Sequence, residues 1–265
     1  MQRVDVGWRD SVIGMSRPAA SVYDRIGRGY AVGRRTDARW MDALEDALGD
    51  ARTVVNVGAG TGSYESPHRQ VVAVEPSTSM IAQRPLDAAP VVRGVAESLP
   101  FAHAAFDAAT AVLTVHHWRD LEAGLAEMRR GAGRQGLLTF DPSVLDRFWL
   151  LRDYLPEIAA VEATRHPSTD RVAAALGDVE VRPLPVPRDM TDGVLAAFWA
   201  RPAAYLHPQV RARMSIFALT DPTLVEAAMA RLRADLDDGT WARRNANLFD
   251  HDTLDAGYQL IVAGR

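Results

Sequence analysis

The chain has 265 residues and a formal net charge of −4, enough length to bury a sizeable core as one domain or one domain with an insertion. The acidic balance argues against a dedicated nucleic-acid binder, which carries a basic face, and the absence of cysteine excludes disulfides and cysteine-based metal sites. No apolar run is long enough to span a bilayer, and Met1-Gln2-Arg3-Val4-Asp5 carries no apolar signal core, so the cytoplasm is the expected compartment.

No internal repeat or low-complexity tail interrupts the chain. Residues 17–48 read as helical, with an amphipathic part over 40–48 in which Met41, Leu44 and Leu48 recur at helical spacing. Tyr23 and Tyr30 share a face if that helix is continuous, although Gly27 and Gly29 weaken it. The β-branched run Val54-Val55-Asn56-Val57 is a buried strand over 53–57 that breaks into Gly58, Gly60 and Gly62. A second strand over 71–75 ends in Glu75, and Pro67 leaves room for only a turn or two of helix before it.

Residues 77–83 read as helical with Met80 and Ile81 inward. A short strand follows at 91–92, and a fourth over 106–115 is apolar enough to be buried on both faces. A helix over 121–130 presents Leu121, Leu125 and Met128, and a fifth strand covers 136–140. Beyond Asp141 the pattern changes. Residues 148–161 read as an aromatic-bearing helix, and 178–186 as a sixth strand whose end Pro183, Pro185 and Pro187 keep outside the sheet interior. Residues 191–236 read as three helices, starting near Asp192, covering 209–219, and starting near Pro222. A last strand covers 258–262. The alternation of strand and helix is that of an α/β doubly wound sheet, with a helical insertion of roughly sixty residues before the last strand. That insertion is either a lid over a substrate or a further packing layer or dimer surface.

The glycine turn and Glu75 carry the first chemical signal. Glycine lets the backbone bend sharply and lets a ligand approach without meeting a Cβ. An acid at the tip of the next strand is placed to accept hydrogen bonds from two ribose hydroxyls, so the pair points to an adenosine-type cofactor at the carboxyl end of a parallel sheet. Ser63 stands where a dinucleotide fingerprint needs its last glycine.

This G-x-G-x-G turn resembles the first motif of class I S-adenosylmethionine-dependent methyltransferases. The segment Gly94-Val95-Ala96-Glu97-Ser98-Leu99-Pro100-Phe101, followed by Ala105-Phe106-Asp107, is similar to the G-D-A-E-x-L-P-F…F-D block of the type 11 methyltransferase group. The resemblance covers residues 20–141 well and the last strand loosely. It implies a Rossmann-like, mostly parallel seven-stranded sheet, divided into a helical cover over the cofactor site at 1–50, an α/β core at 51–190, the insertion at 191–250 and the returning strand at 251–265. S-adenosylmethionine is the implied cofactor.

The resemblance also assigns residues. Tyr30 would pack against the cofactor and Arg34 would reach its carboxylate with both arms of its fork; a solvated turn shared with Arg35 and Arg39 is the other reading. Gly58, Ala59 and Gly60 would cradle the methionine part and Glu75 the ribose, with Pro76, Ser77, Met80, Glu97, Leu113 and Tyr23 completing the set. The backbone N–H of Ala96 would contact the adenine ring. Two positions depart from the family pattern. Val95 replaces the Asp that contacts the adenine amino group, a loss of ~1.5–3 kcal/mol for one charge-assisted hydrogen bond. Asn56 replaces an acid, and either accepts a hydrogen bond from the cofactor or braces the glycine turn.

After the fourth strand stands Val115-His116-His117-Trp118. By resemblance His117 lies beside the cofactor, with His116 the alternate. A neutral imidazole there would take a proton from the group being methylated, or both rings would only orient the loop. Two adjacent histidines cannot face one side of an extended chain, and no third ligand is at a metal spacing, so no metal is expected. Asp141, Tyr154 and Trp149 could line the acceptor pocket, Asp141 equally serving as a helix cap before Pro142. His68, His103, His166, His207 and His251 show no constellation.

The expected function is methyl transfer from S-adenosylmethionine to oxygen, nitrogen or carbon of a small molecule, releasing S-adenosylhomocysteine. The alternative is a non-methylating S-adenosylmethionine-binding protein on the same fold. Ser63 and the L-P-F block count against a nicotinamide oxidoreductase. The expected partner is a small-molecule acceptor, with no nucleic acid or membrane, the chain acting as monomer or homodimer.

Overall fold

The computed structural model describes residues 35–264. Tyr23, Tyr30, Arg34 and most of the expected 1–50 cover lie outside the described residues. The first described helix, α1 (Ala38–Leu48), is capped by the Asp37 carboxylate, which accepts from Arg39 N, and ends at Gly49 with φ 56°. Its apolar stripe, Trp40, Met41, Leu44, Ala47 and Leu48, is buried.

Six strands follow this helix: β1 (Thr53–Val57), β2 (Gln70–Glu75), β3 (Val91–Arg93), β4 (Phe106–Val112), β5 (Ala132–Phe140) and β6 (Val179–Pro183). A short pair, β7 (Val186–Pro187) and β8 (Thr253–Leu254), and the last strand β9 (Tyr258–Gly264) follow. The main sheet has seven strands in the order β3-β2-β1-β4-β5-β9-β6. The pairs among β1 to β5 are parallel, and β9 runs antiparallel between β5 and β6. Pro183 ends an edge strand, where its missing N–H does no harm.

The two-residue period of β1 divides the core. Val55 and Val57 join Leu125, Met128, Val172 and Leu176 on one face, contributed by α2 (Leu121–Gly131) and α4 (Thr169–Leu176). Val54 joins Trp40, Leu44 and Leu48 on the other. A parallel sheet buried on both faces explains why its strands read as continuous apolar runs. Strand order turns back between β1 and β4, which opens a crevice at their carboxyl ends.

Several local expectations are corrected. No helix follows the glycine turn; residues 58–69 are turns, with Tyr64 itself at φ 59°. β4 stops at Val112, Leu113 adopts φ 50°, and Val115–His117 is a 3-10 turn. The histidine pair is therefore not on an extended chain, and the alternation argument does not apply to it. The helix expected over 148–161 is displaced. A 3-10 segment (Pro142–Arg147) and a π-type turn (Leu150–Tyr154) precede α3 (Pro156–Arg165), which starts where proline supplies a first-turn φ. No helix starts near Asp192: residues 195–200 form turns. The 209–219 stretch is two short helices, Pro208–Arg211 and Ser215–Leu219, and α5 (Pro222–Asp237) is the long one.

The inserted helices join the segment that follows β5 in one aromatic core. Trp149 Nε1 donates to Trp199 O at 3.0 Å, and its ring meets Tyr205 at 5.6 Å and Trp241 at 5.2 Å, both edge-on. Tyr154 donates to Asp235 at 2.7 Å. Trp149 and Tyr154 are thus walls of this core, not of an acceptor pocket. Truncating Trp149→Ala removes a 2% exposed indole and is expected to destabilise the fold by about 3–5 kcal/mol. Urea unfolding checks this, and an unchanged midpoint would contradict the packing described.

Candidate active site

The crevice between β1, β2 and β4 is built on the glycine turn. Gly58, Gly60 and Gly62 have φ of 72°, 54° and 97°, conformations in which a side chain is strained. Gly58 N and Ala59 N both donate to Val74 O, tying the turn to β2. A Cβ on Gly58 would lie 2.2 Å from Thr114 Oγ1, whereas one on Gly60 would meet nothing within 4 Å. The second glycine therefore faces open space.

Glu75 holds the other side. Its Oε2 accepts from Gly60 N at 2.8 Å and its Oε1 from Ser77 N at 2.9 Å. Ser77 in turn caps the helical turn Thr78–Ile81 by accepting from Met80 N. Asn56, Gly58, Ala59, Gly60, Glu75 and Pro76 line a single cleft. Ser77, Met80, Ala96, Glu97, Leu113 and His117 line it too. His116 does not: it faces a neighbouring cavity, which shares only Leu113 and His117 with the cleft.

Three polar side chains have partners within the protein. One oxygen of the Glu97 carboxylate accepts from both Arg119 N and Asp120 N, which fixes the turn after Trp118. Asn56 donates to Glu65 at 3.4 Å and accepts from Thr110 at 3.4 Å, which braces the turn. Asp141 caps the 3-10 segment by accepting from Ser143 N.

Sequence reasoning missed the Glu65–Arg84 pair. Both side chains are over nine-tenths buried. Arg84 donates to both Glu65 oxygens, to Gly60 O and to Ala89 O. A buried ion pair holds only if its remaining hydrogen-bonding positions are filled, and here the turn's own backbone fills them. Nothing local pairs residues nineteen apart. Tyr64 is the second omission: its hydroxyl accepts from Asp37 N and donates to Asp192. This links the start of α1 to the inserted segment.

The histidines form a cluster. His116 and His117 have centroids 3.8 Å apart, and His116 stacks on His166 at 4.2 Å. His166 Nε2 lies 3.2 Å from Glu162, which also accepts from Arg165. His166 therefore has a constellation, contrary to its sequence reading. Had the helix been carried to Arg165, the four-residue spacing of Glu162 and His166 would have placed them on one face. Burial, then Arg165 and His166, push the His117 imidazole down to about 3. Burial, then His117, His166 and Arg165, push His116 well below its ordinary value. Both rings are therefore held in the neutral form at physiological pH. Among the described residues no group of three His, Asp or Glu is arranged to hold a metal.

The methyltransferase domain family, type 11, matches residues 55–140. A structure from Anabaena variabilis, assigned as a methyltransferase of an antibiotic biosynthesis pathway, is 33% identical, spans 88% of this chain and 99% of its own, and superposes with a TM-score of 0.82. The chain belongs to the class I S-adenosylmethionine-dependent methyltransferases. This methyltransferase is 28% identical over 199 residues to a demethylmenaquinone methyltransferase of Mycolicibacterium paratuberculosis, an overlap of 69% of this chain and 86% of the other. The 4+2 cyclase SpnF shares its fold, with 18% identity, a TM-score of 0.54 and coverage of 96% of this chain and 98% of that one. The cofactor is S-adenosylmethionine and the reaction is methyl transfer to a small molecule. The methyltransferase's own cleft fits the cofactor: a buried carboxylate stands at the tip of β2, and the middle glycine leaves open the space a Cβ would fill. No helix among the described residues is long and apolar enough to cross a membrane.

Two outcomes are expected. Gly58→Ala, forced against Thr114, should unfold the protein or leave it strongly destabilised. Gly60→Ala should fold with a loss of about 1–3 kcal/mol from backbone strain and fail to bind S-adenosylhomocysteine, as read by thermal melts and calorimetry. The histidines set the second. The unfolded chain takes up protons on His116 and His117 below about pH 6.5, whereas folded His117 stays neutral to about 3. The unfolded state then binds more protons, so stability falls as pH drops through this window. Replacing His117→Asn should flatten the slope of urea midpoint against pH; an unchanged slope would contradict the assignment.

Proposed function

We propose that the cleft holds S-adenosylmethionine through the residues that line it and that the methyl acceptor occupies the neighbouring cavity. The observation that carries this reading is the shared wall. Leu113 and His117 line both spaces, so a donor in one and an acceptor in the other would meet there. In this reading Glu75 accepts from the ribose hydroxyls, since each oxygen of an ionised carboxylate can take more than one bond. The Ala96 N–H faces adenine, and the glycine turn lies along the methionine part. Bound there, the sulfonium supplies an activated methyl group, and what the protein adds is proximity and alignment.

The acceptor cavity is mainly apolar, with Phe140, Leu145, Val194 and Ile216 among its walls. Residues 1–50 would act as cover, 51–190 as the cofactor core, 191–250 as a lid on the acceptor, and 251–265 as the strand that returns to the core. The net charge of −4 supports a small-molecule partner over nucleic acid. The same reading makes the protein a cytoplasmic enzyme, monomeric or homodimeric.

Calorimetric titration with S-adenosylmethionine and S-adenosylhomocysteine tests the reading. Both should bind, Glu75→Gln should weaken both by at least about tenfold, and Val95→Asp should tighten both by about tenfold, the worth of one restored hydrogen bond. Val95 is 44% exposed and lines the cleft, so the new carboxylate would meet no packing obstacle. Absence of binding by the natural chain would overturn the proposal.

A further inference from the structure

Arg213 stands between the short helices Pro208–Arg211 and Ser215–Leu219. It lines the cavity beside the cofactor cleft and does not line the cleft itself. Its side chain is half-buried. Every other half-buried arginine among the described residues has a partner for its guanidinium. Carboxylates hold Arg69, Arg84 and Arg165, and backbone carbonyls accept from Arg134, Arg201 and Arg211. Arg213 alone has none described: only its backbone N–H is bonded, to Val210 O. A guanidinium stays charged at any physiological pH, and a charge at an apolar wall is costly until a group of opposite sign meets it. The carboxylate that shares this cavity is already engaged, since Glu162 accepts from Arg165 with one oxygen and lies against His166 with the other. Among the described lining residues, the unbalanced charge is therefore the positive one on Arg213.

We propose that Arg213 anchors the methyl acceptor by a carboxylate, and that the acceptor is an organic acid with an apolar body. The proposal rests on the methyl-transfer reading above. Because Arg213 is absent from the cofactor cleft, the anchored end lies away from the wall that Leu113 and His117 share with it. The apolar body runs along Phe140, Leu145, Val194 and Ile216, and the opposite end of the molecule is presented at the shared wall. Carboxylate and guanidinium are both planar, so two parallel N–H···O bonds can hold the acid in one orientation. A monoanion suits the cavity better than a phosphate, whose second charge would face Glu162 with no further free cation to offset it. The bound sulfonium adds positive charge on the far side of the shared wall, which favours an anion over an ammonium in this space.

The test uses the full chain saturated with S-adenosylhomocysteine, titrated calorimetrically with 4-phenylbutanoate and, separately, with its neutral amide 4-phenylbutanamide. The acid should bind at least about tenfold tighter than the amide, the worth of one hydrogen bond between charged groups. Arg213→Met keeps an apolar stem and removes the charge, and should erase the difference by weakening the acid alone. Arg213→Lys keeps the charge without the fork and should restore part of the preference. A merely structural role for Arg213 would instead weaken acid and amide alike. S-adenosylhomocysteine affinity should be unchanged in both variants, which also checks folding. An acid that fails to bind the natural chain, or binds no better than the amide, overturns this proposal alone. So does a preference that survives in Arg213→Met, or a loss of S-adenosylhomocysteine affinity there with the acid unaffected, which would give the arginine to the cofactor's own carboxylate. A chain that does not bind S-adenosylhomocysteine overturns the methyl-transfer reading and this one with it.

Discussion

The carboxyl end of the sheet is organised by two buried carboxylates on either side of one glycine turn. Charge cannot be buried without partners, and each carboxylate finds its partners in the turn itself or in a segment the turn must meet. Glu75 takes the N–H of Gly60 and of Ser77, which sets the distance between the turn and the start of the next helical turn. Glu65 takes Arg84 and Ala89 N, and Arg84 returns to Gly60 O. The turn thus has a donor and an acceptor of one peptide neighbourhood anchored by opposite charges. With no helix between β1 and β2, these bonds do what a longer connection would otherwise do: they fix the backbone at a shape that leaves the cleft open.

The legible part of the molecule is the part with local period or local spacing. The Val54–Val57 run, the glycine turn, Glu75 and the apolar fourth strand were readable because each signal lies within a few consecutive residues. Their assembly into a sheet follows from parallel-sheet rules. The illegible part depends on partners far apart in sequence. Tyr64 and Asp192 are 128 residues apart, and Glu65 finds Arg84 across a turn whose path no pattern predicts. The helix expected near Asp192 failed for a related reason. Asp192 is fully buried and accepts from Tyr64 and from Arg35 N, a tertiary role that local cap propensity does not reveal. The cap likewise looked like one insertion. Instead Trp149 and Tyr154, which follow β5, are packed with Tyr205, Trp241 and Asp235, because aromatic rings that no single short helix could bury are buried together.

This division also separates the cleft from the cavity beside it. The cofactor cleft is built on strand tips and the turns that leave them. The neighbouring cavity draws its walls from the turn after β4, the end of β5 and the segment after it, the end of α3, residues 193–195, the 213–216 stretch and the start of β9. Each contributes one to a few side chains, too few for a motif. Fold cannot supply the missing information, since a cyclase shares the architecture.

The electrostatics of the shared wall are consistent with a cationic methyl donor. A sulfonium next to an imidazolium would be repelled strongly in a dry site. His116 and His117 avoid this, because burial and the adjacent Arg165 keep both rings neutral. Arg84, the cation nearest the glycine turn, is neutralised by Glu65. His117 lines both spaces and His116 the neighbouring cavity, so neutral rings stand where the two spaces meet.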